Sequence, residues 1–383
     1  MGVCRHFGEC GGCRTQDIPY PQQLEEKQRQ LTALIAEHHL SAPLLPTRCF
    51  DPVYYRNKME FTFGFGAGKL VCGLYSKTNK GQIVDVEECL IFSPDAATVL
   101  AAVKQFAAKH AYLPYNKYQR QGFLRYLVLR EAKNTGQLMA ALVTTSQTEL
   151  AAQEFTEMMR ALPLKARLVS LYHVVSDTWS DAVVMEQKRL LFGQANLVET
   201  LGEFSFNLGP DTFFQVNPKG VSELYAQIRT KAALTKEERV LDLFCGVGSI
   251  GIFLASQAKY VWGVELEPAI IACAWQNAKD NRVDNISFFT GDARKFLNAE
   301  GSFYKGVDLL VLNPPRSGIS AKMLRAITRL EPKRVIYSSC NPKTLFADLD
   351  LIRQEYKLES VEPFDFFPHT PHVECLTVLS RKV

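Results

Sequence analysis

The sequence predicts an α/β protein, with a doubly wound parallel sheet in its C-terminal half and an α+β unit before it. Three observations carry that reading. From Val240 onward, apolar runs alternate with helical patterns, as a parallel sheet with crossover helices requires. Earlier in the chain, short aromatic or β-branched runs are broken by glycine. The length of 383 residues also exceeds what one core usually organises, so two domains are expected, 1–207 and 208–383.

In chain order, residues 21–40 carry leucines at helical spacing, with Pro19 and Pro21 before them and Pro43 beyond. EFTFGFG and KLVCGLY read as strands, DAATVLAAVKQFAAKH as a helix, and FLRYLVLRE and QLMAALVTT as further strands. In the second half the strands are RVLDLFCG, KYVWGVEL, ISFFTGDA, VDLLVLNPP and RVIYSSCNP, each followed by a helical pattern. The last segment, HVECLTVLSRKV, is expected as an antiparallel edge strand.

Composition excludes some classes. Hydrophobic residues make up 47% and charged residues 22%, ordinary for a soluble globular chain rather than a disordered one. The net charge of +4 permits an anionic partner without demanding one. No apolar run approaches the ~18 residues of a spanning helix. The start, Met1 to His6, lacks the apolar segment of a secretory signal. A cytoplasmic location is expected, with no membrane association and no obligate protein partner. Ten cysteines in that setting point to metal binding or catalysis rather than disulfides.

The first strand of the second half ends in a glycine turn, V-L-D-L-F-C-G-V-G-S-I-G over 240–251. Gly246, Gly248 and Gly251 also satisfy the dinucleotide pattern G-x-G-x-x-G. The neighbouring residues decide against a pyrophosphate. Asp242 would repel it but attract a sulfonium or amino group, and Glu265 closes the next strand where ribose hydroxyls would lie. Asp292 and Asn313 end two further strands on the same face, Asp292 as a candidate for an adenine amino group. The ligand this set describes is S-adenosylmethionine.

Cys340, in YSSCNPKT, ends the fifth strand on that face. A thiol there suits methylation of uracil at C5, a carbon too weak to attack a methyl sulfonium unaided. Thiolate addition at C6 makes C5 enolate-like, and a base later removes the C5 proton so that the thiolate leaves. Glu374, in HVECL, is the best candidate base, with His369 and His372 in reserve.

Taken together, FFQVN (213–217), LDLFCGVG, LNPPR, YSSCNP and FPHTPHVE resemble the RNA uracil-C5 methyltransferases. The resemblance spans roughly the whole catalytic half. It implies that Gln215, Phe244, Glu265 and Asn313 line the S-adenosylmethionine pocket, that Cys340 is the nucleophile and that Glu374 is the base. Ser249 stands where some relatives have asparagine. An RNA cytosine-C5 enzyme would carry a second cysteine in its fourth-strand motif, here Asn-Pro-Pro-Arg. An adenine-N6 enzyme would carry an aromatic where Arg316 stands.

Cys4, Cys10 and Cys13 form a tight clip. Zinc modules usually present two C-x2-C pairs, so a four-thiolate iron–sulfur cluster is the better fit. On spacing, Cys49, Cys72 or Cys89 completes it. The resemblance implies Cys89, because the rRNA members of the family carry the same clip and end it with a cysteine before a short apolar stretch, here EECLIFSP. A clip without a preceding TRAM barrel resembles the shorter enzymes that methylate 23S rRNA at uridine 747, with tRNA the alternative substrate. RNA contacts are expected from Arg56 and Lys58 and from the basic, aromatic segment between Lys104 and Lys133.

Overall fold

The computed structural model describes residues 2–66 and 68–382. Helix α1 (Tyr20–Glu37) opens the chain, with proline in its first turn. There follow β1 (Lys58–Gly66), β2 (Lys69–Tyr75), β3 (Ile83–Asp85), α2 (Asp95–Lys109), β4 (Leu124–Ala132), β5 (Gln137–Thr144), α3 (Ala152–Ala161), β6 (Arg167–Val175) and β7 (Gln187–Gly193). The seven strands form one sheet, β3-β2-β1-β4-β5-β6-β7. It is antiparallel except at β5–β6, where α3 supplies the crossover. One face packs on α2 and α3 through Leu127, Leu129, Phe106 and Phe155. Tyr126 and Val128, on the opposite face, join a core shared with the second half of the chain. Both faces of β4 are covered, and that explains its nearly unbroken apolar run.

The hairpin β8 (Leu197–Leu201) and β9 (Phe204–Leu208) leads into α4 (Pro218–Ala232), which Asn217 caps by accepting from Gly220 N. The second sheet is built from β10 (Arg239–Leu243), α5 (Ser249–Ala255), β11 (Tyr260–Glu265), α6 (Pro268–Asp280), β12 (Ile286–Thr290), α7 (Ala293–Tyr304), β13 (Leu309–Leu312), α8 (Ala321–Leu330), β14 (Arg334–Ser339), α9 (Pro342–Ile352), β15 (Tyr356–Phe364) and β16 (Glu374–Arg381). Strand order is β12-β11-β10-β13-β14-β16-β15, parallel through β14. The final strand is antiparallel, as expected, but it is not at the edge. β16 inserts between β14 and β15. Its first six residues are buried on both faces, which an edge strand would not allow.

The edge belongs to β15, and residues before β1 cover it. Leu44 and Arg48 bridge to Val361 and Phe364, while Leu31 of α1 packs in the core with Tyr356 and Val361. Segment 20–48 thus lies early in sequence yet shields the exposed edge of the last sheet.

Candidate active site

Parallel register brings three of the expected residues into one row. Leu243 pairs with Val264 on one side and Leu312 on the other. One step further, beyond the paired residues, the strands present Phe244, Glu265 and Asn313 side by side at their carboxyl ends. Phe244 takes a left-handed backbone (φ 64°), unusual for an aromatic residue and a local cost that sites tolerate. Glu265 is held in place by three backbone donors, Gly246 N at 3.2 Å, Leu266 N at 2.7 Å and Glu267 N at 3.4 Å.

The glycine turn follows this row. Gly248 (φ 79°) admits no side chain, since a Cβ there would lie 2.6 Å from the Phe288 ring. At Gly246 (φ 53°) a Cβ would meet nothing within 4 Å, so the turn faces open space. A carboxylate fixed by backbone, an aromatic ring, an amide and an open glycine turn suit an adenosyl group. Gln215 lies in the loop entering α4, its carbonyl accepting from Asn57 Nδ2 at 2.9 Å.

Two other acids behave differently from expectation. Asp242 is fully buried beneath α5 rather than facing the opening, and burial pushes its carboxyl up to about 8. Asp292 caps α7, accepting from Lys295 N at 2.8 Å. Ser249 hydrogen-bonds the Tyr225 hydroxyl at 2.7 Å inside the core.

Cys340 and Glu374 meet through antiparallel register. The last pair between β14 and β16 is Ser339 with Cys375, so the next position sets Cys340 against Glu374. Glu374 is wholly buried. One carboxylate oxygen accepts from the Ser338 hydroxyl at 2.5 Å, and the other has no partner among the described residues. Burial pushes the carboxyl up to about 7, and the Ser338 bond opposes part of that. The Cys340 thiol is raised by burial first and by Glu374 second, while the Arg316 guanidinium pulls it down. A base held near neutrality beside a half-buried thiol is an arrangement for proton abstraction and nucleophilic addition.

The two reserve histidines are occupied. His369 has a left-handed backbone (φ 65°), and the Gln23 side chain clasps it through His369 N at 3.0 Å and Nδ1 at 3.1 Å. Its carbonyl accepts from Arg14 N and Thr15 N. His372 contacts Arg316 Nη2 at 2.7 Å. The loop between β15 and β16 is further tied down by Lys27 on Asp365 at 2.6 Å and by the Tyr55 hydroxyl on the Pro368 carbonyl at 3.0 Å. Sequence reasoning missed Gln23, Lys27 and Ser338. Only the serine carried a signal, two residues before Cys340 and therefore on the same face of its strand.

The four cysteines of the predicted clip converge. Cys4, Cys10, Cys13 and Cys89 line one cavity with Phe7 and Ile91, whereas Cys72 is buried in the sheet core and Cys49 is exposed. Burial, then the neighbouring Cys89, Cys10 and Cys4, push the Cys13 thiol up to about 12. Among the described residues no three His, Cys, Asp or Glu are grouped closely enough for a single metal ion. A tetrahedral zinc with bonds of about 2.3 Å would draw its sulfurs to within roughly 4 Å of each other.

The basic, aromatic segment divides in two. Tyr112, Phe123, Arg125, Tyr126 and Arg130 are buried, but Lys117, Tyr118 and Arg120 are exposed at a hairpin tip. Arg56 and Lys58 line a groove of about 430 Å³ that also takes in Gly12 and Phe213. No helix among the described residues is long and apolar enough to cross a membrane.

The family model described as tRNA (uracil-5-)-methyltransferase matches residues 19–382, nearly the whole chain. The chain belongs to this family. It is thereby an S-adenosylmethionine-dependent RNA methyltransferase with a mixed α/β, Rossmann-like fold. A protein of Clostridium tetani named as an uncharacterized RNA methyltransferase is 38% identical, over 99% of this chain and 84% of its own length. A Caldanaerobacter subterraneus protein of the same description is 36% identical over the same shares. Among solved structures, the Pyrococcus abyssi tRNA (uracil-54, C5)-methyltransferase in complex with S-adenosyl-L-homocysteine superposes with a TM-score of 0.80. It is 27% identical, over 97% of this chain and 86% of that one.

Proposed function

We propose that this methyltransferase modifies C5 of a uridine, with Cys340 as nucleophile and Glu374 as base. The observation that carries the reading is the placement of a buried carboxylate, raised to about 7, next in register to a thiol. Glu265, Phe244, Asn313 and Gln215 would hold S-adenosylmethionine, which when bound supplies an electrophilic methyl group. Cys340 adds to C6 of the uracil and leaves an enolate-like C5. After C5 is methylated, Glu374 takes the C5 proton and the C6–sulfur bond breaks, returning the thiolate. Arg316 beside Cys340 favours that thiolate.

The reading includes a [4Fe–4S] cluster on Cys4, Cys10, Cys13 and Cys89, since the four thiols line one largely apolar cavity. Within this reading residues 1–207 recognise RNA and 208–383 bind the cofactor and carry the chemistry. The clip favours 23S rRNA as substrate, with uridine 747 the specific target. A second reading, tRNA, is favoured by the Pyrococcus abyssi neighbour, which acts on tRNA uracil 54 and covers 97% of the chain. Mass spectrometry of nucleosides from separated rRNA and tRNA of a deletion strain decides between them. Loss of 5-methyluridine from a 23S fragment supports the first, loss from tRNA the second, and loss from neither sinks the uracil-C5 assignment.

A further inference from the structure

Two large aromatic residues are left in solvent at one corner of the first sheet. Tyr118 is 87% exposed and Trp179 72% exposed. Tyr118 sits at the tip of a hairpin closed by backbone bonds between Asn116 and Gln121. The Asn116 carboxamide accepts from Tyr118 N and Gln119 N, and Gln147 braces the far side by donating to the Arg120 carbonyl at 2.8 Å. The Trp179 loop is pinned by buried Arg125, which donates to the carbonyls of Ser176 at 2.7 Å and Ser180 at 2.9 Å. Tyr126 adds a bond to the Asp181 carbonyl at 2.9 Å. Hydrogen bonds from both flanks thus hold the backbone that carries these exposed rings.

Cations accompany the rings. The Arg120 guanidinium lies 3.7 Å from the Trp179 ring centre, and Lys117 Nζ lies 5.3 Å from that of Tyr118. Arg120 has no carboxylate partner among the described residues, and Lys117 is bonded to Asp181 at 2.6 Å. Tyr75, 45% exposed, ends β2 nearby, and burial and then the Asp181 carboxylate push its phenol up. The Tyr75 carbonyl accepts from Gly11 N of the cysteine clip.

We propose that Tyr118, Arg120 and Trp179 form a stacking platform for an unpaired base of the RNA substrate, apart from the catalytic residues. Rings offer a π-face to any base, and an unpaired guanidinium beside them holds phosphate, the combination used for single strands. The inference rests on RNA being the substrate, but not on which atom is methylated.

The test uses the full-length protein titrated with a single-stranded oligouridylate and with an RNA duplex of equal length. Trp179→Ala and Tyr118→Ala should each weaken single-strand binding about 5- to 100-fold. Trp179→Phe should retain most of it, and duplex binding should change little. Tryptophan emission should be quenched by the single strand in the unaltered protein and less in Trp179→Ala. With saturating substrate RNA, turnover should be kept and KM raised. Unchanged single-strand affinity in both alanine variants overturns the platform, as does equal weakening for the duplex. Binding that depends on Trp179 in a protein that never methylates C5 would sink the uracil assignment and leave the platform standing.

Discussion

Cys340 and Glu374 occupy facing positions of two antiparallel strands, one step past the pair Ser339 and Cys375. Facing side chains in such a pair lie on the same side of the sheet at close range, and Ser338 is their diagonal neighbour. A thiol, a carboxylate and a hydroxyl that donates to it are therefore assembled by register alone. The loop between β15 and β16, clasped by Gln23 and Lys27, then fixes where Glu374 begins its strand.

Variants at these two positions should stall at different steps. Cys340→Ala should bind RNA yet form neither a covalent adduct nor methylated product. Glu374→Gln should accumulate a methylated protein–RNA adduct, seen as a denaturant-resistant band with labelled methyl, with turnover reduced about 10²–10⁴-fold. Methylation by Cys340→Ala would show that no thiol adduct is needed.

The pH dependence follows from the raised carboxyl of Glu374. A base must be ionised, so turnover should rise with pH through about 7. Ser338→Ala removes the hydrogen bond that lowers this carboxyl and should move the midpoint upward. For stability the sign is opposite. The folded state holds the proton more tightly than the unfolded chain, so stability falls as pH rises from the ordinary glutamate range through about 7, by about 3 kcal/mol in all. Glu374→Gln should gain in melting temperature over the unaltered protein at pH 8 but not at pH 4. Equal gains at both would exclude a raised carboxyl.

Glu265→Ala should weaken S-adenosylmethionine binding by roughly 1–3 kcal/mol, the usual loss for a hydrogen bond to a charged group. Titration calorimetry reads this directly, and unchanged affinity would move the ribose elsewhere.

Lys27 and Asp365 form an ion pair that is almost fully buried. Lys27→Met strands the carboxylate and should cost about 3–5 kcal/mol, whereas Lys27→Met with Asp365→Leu should recover much of it. Denaturant unfolding of both variants measures the difference.

Anaerobically purified protein should be brown with about four irons per chain. Cys89→Ser should lose the iron, and Cys72→Ser should keep it, because Cys72 faces the sheet core instead of the clip cavity. Stoichiometric zinc with no visible absorbance would refute the cluster.

By itself the sequence determined the parallel sheet, the glycine turn and the identities of Glu265, Asn313, Cys340 and Glu374 as polar groups at strand ends. These were legible because strand periodicity and strand termini are local properties, readable within a dozen residues. Several features were decided only by tertiary structure. β16 went to the interior of the sheet because burial on both faces is a property of its neighbours, not of ECLTVLSR alone. Arg125 and Arg130, which read as candidate RNA contacts, turned inward because β4 is covered on both sides. Cys89 joined Cys4, Cys10 and Cys13 across more than seventy residues, and Gln23 reached His369 across 346. Such long-range pairings depend on how two sheets and a leading helix pack, and spacing along a chain holds no record of distance through its core.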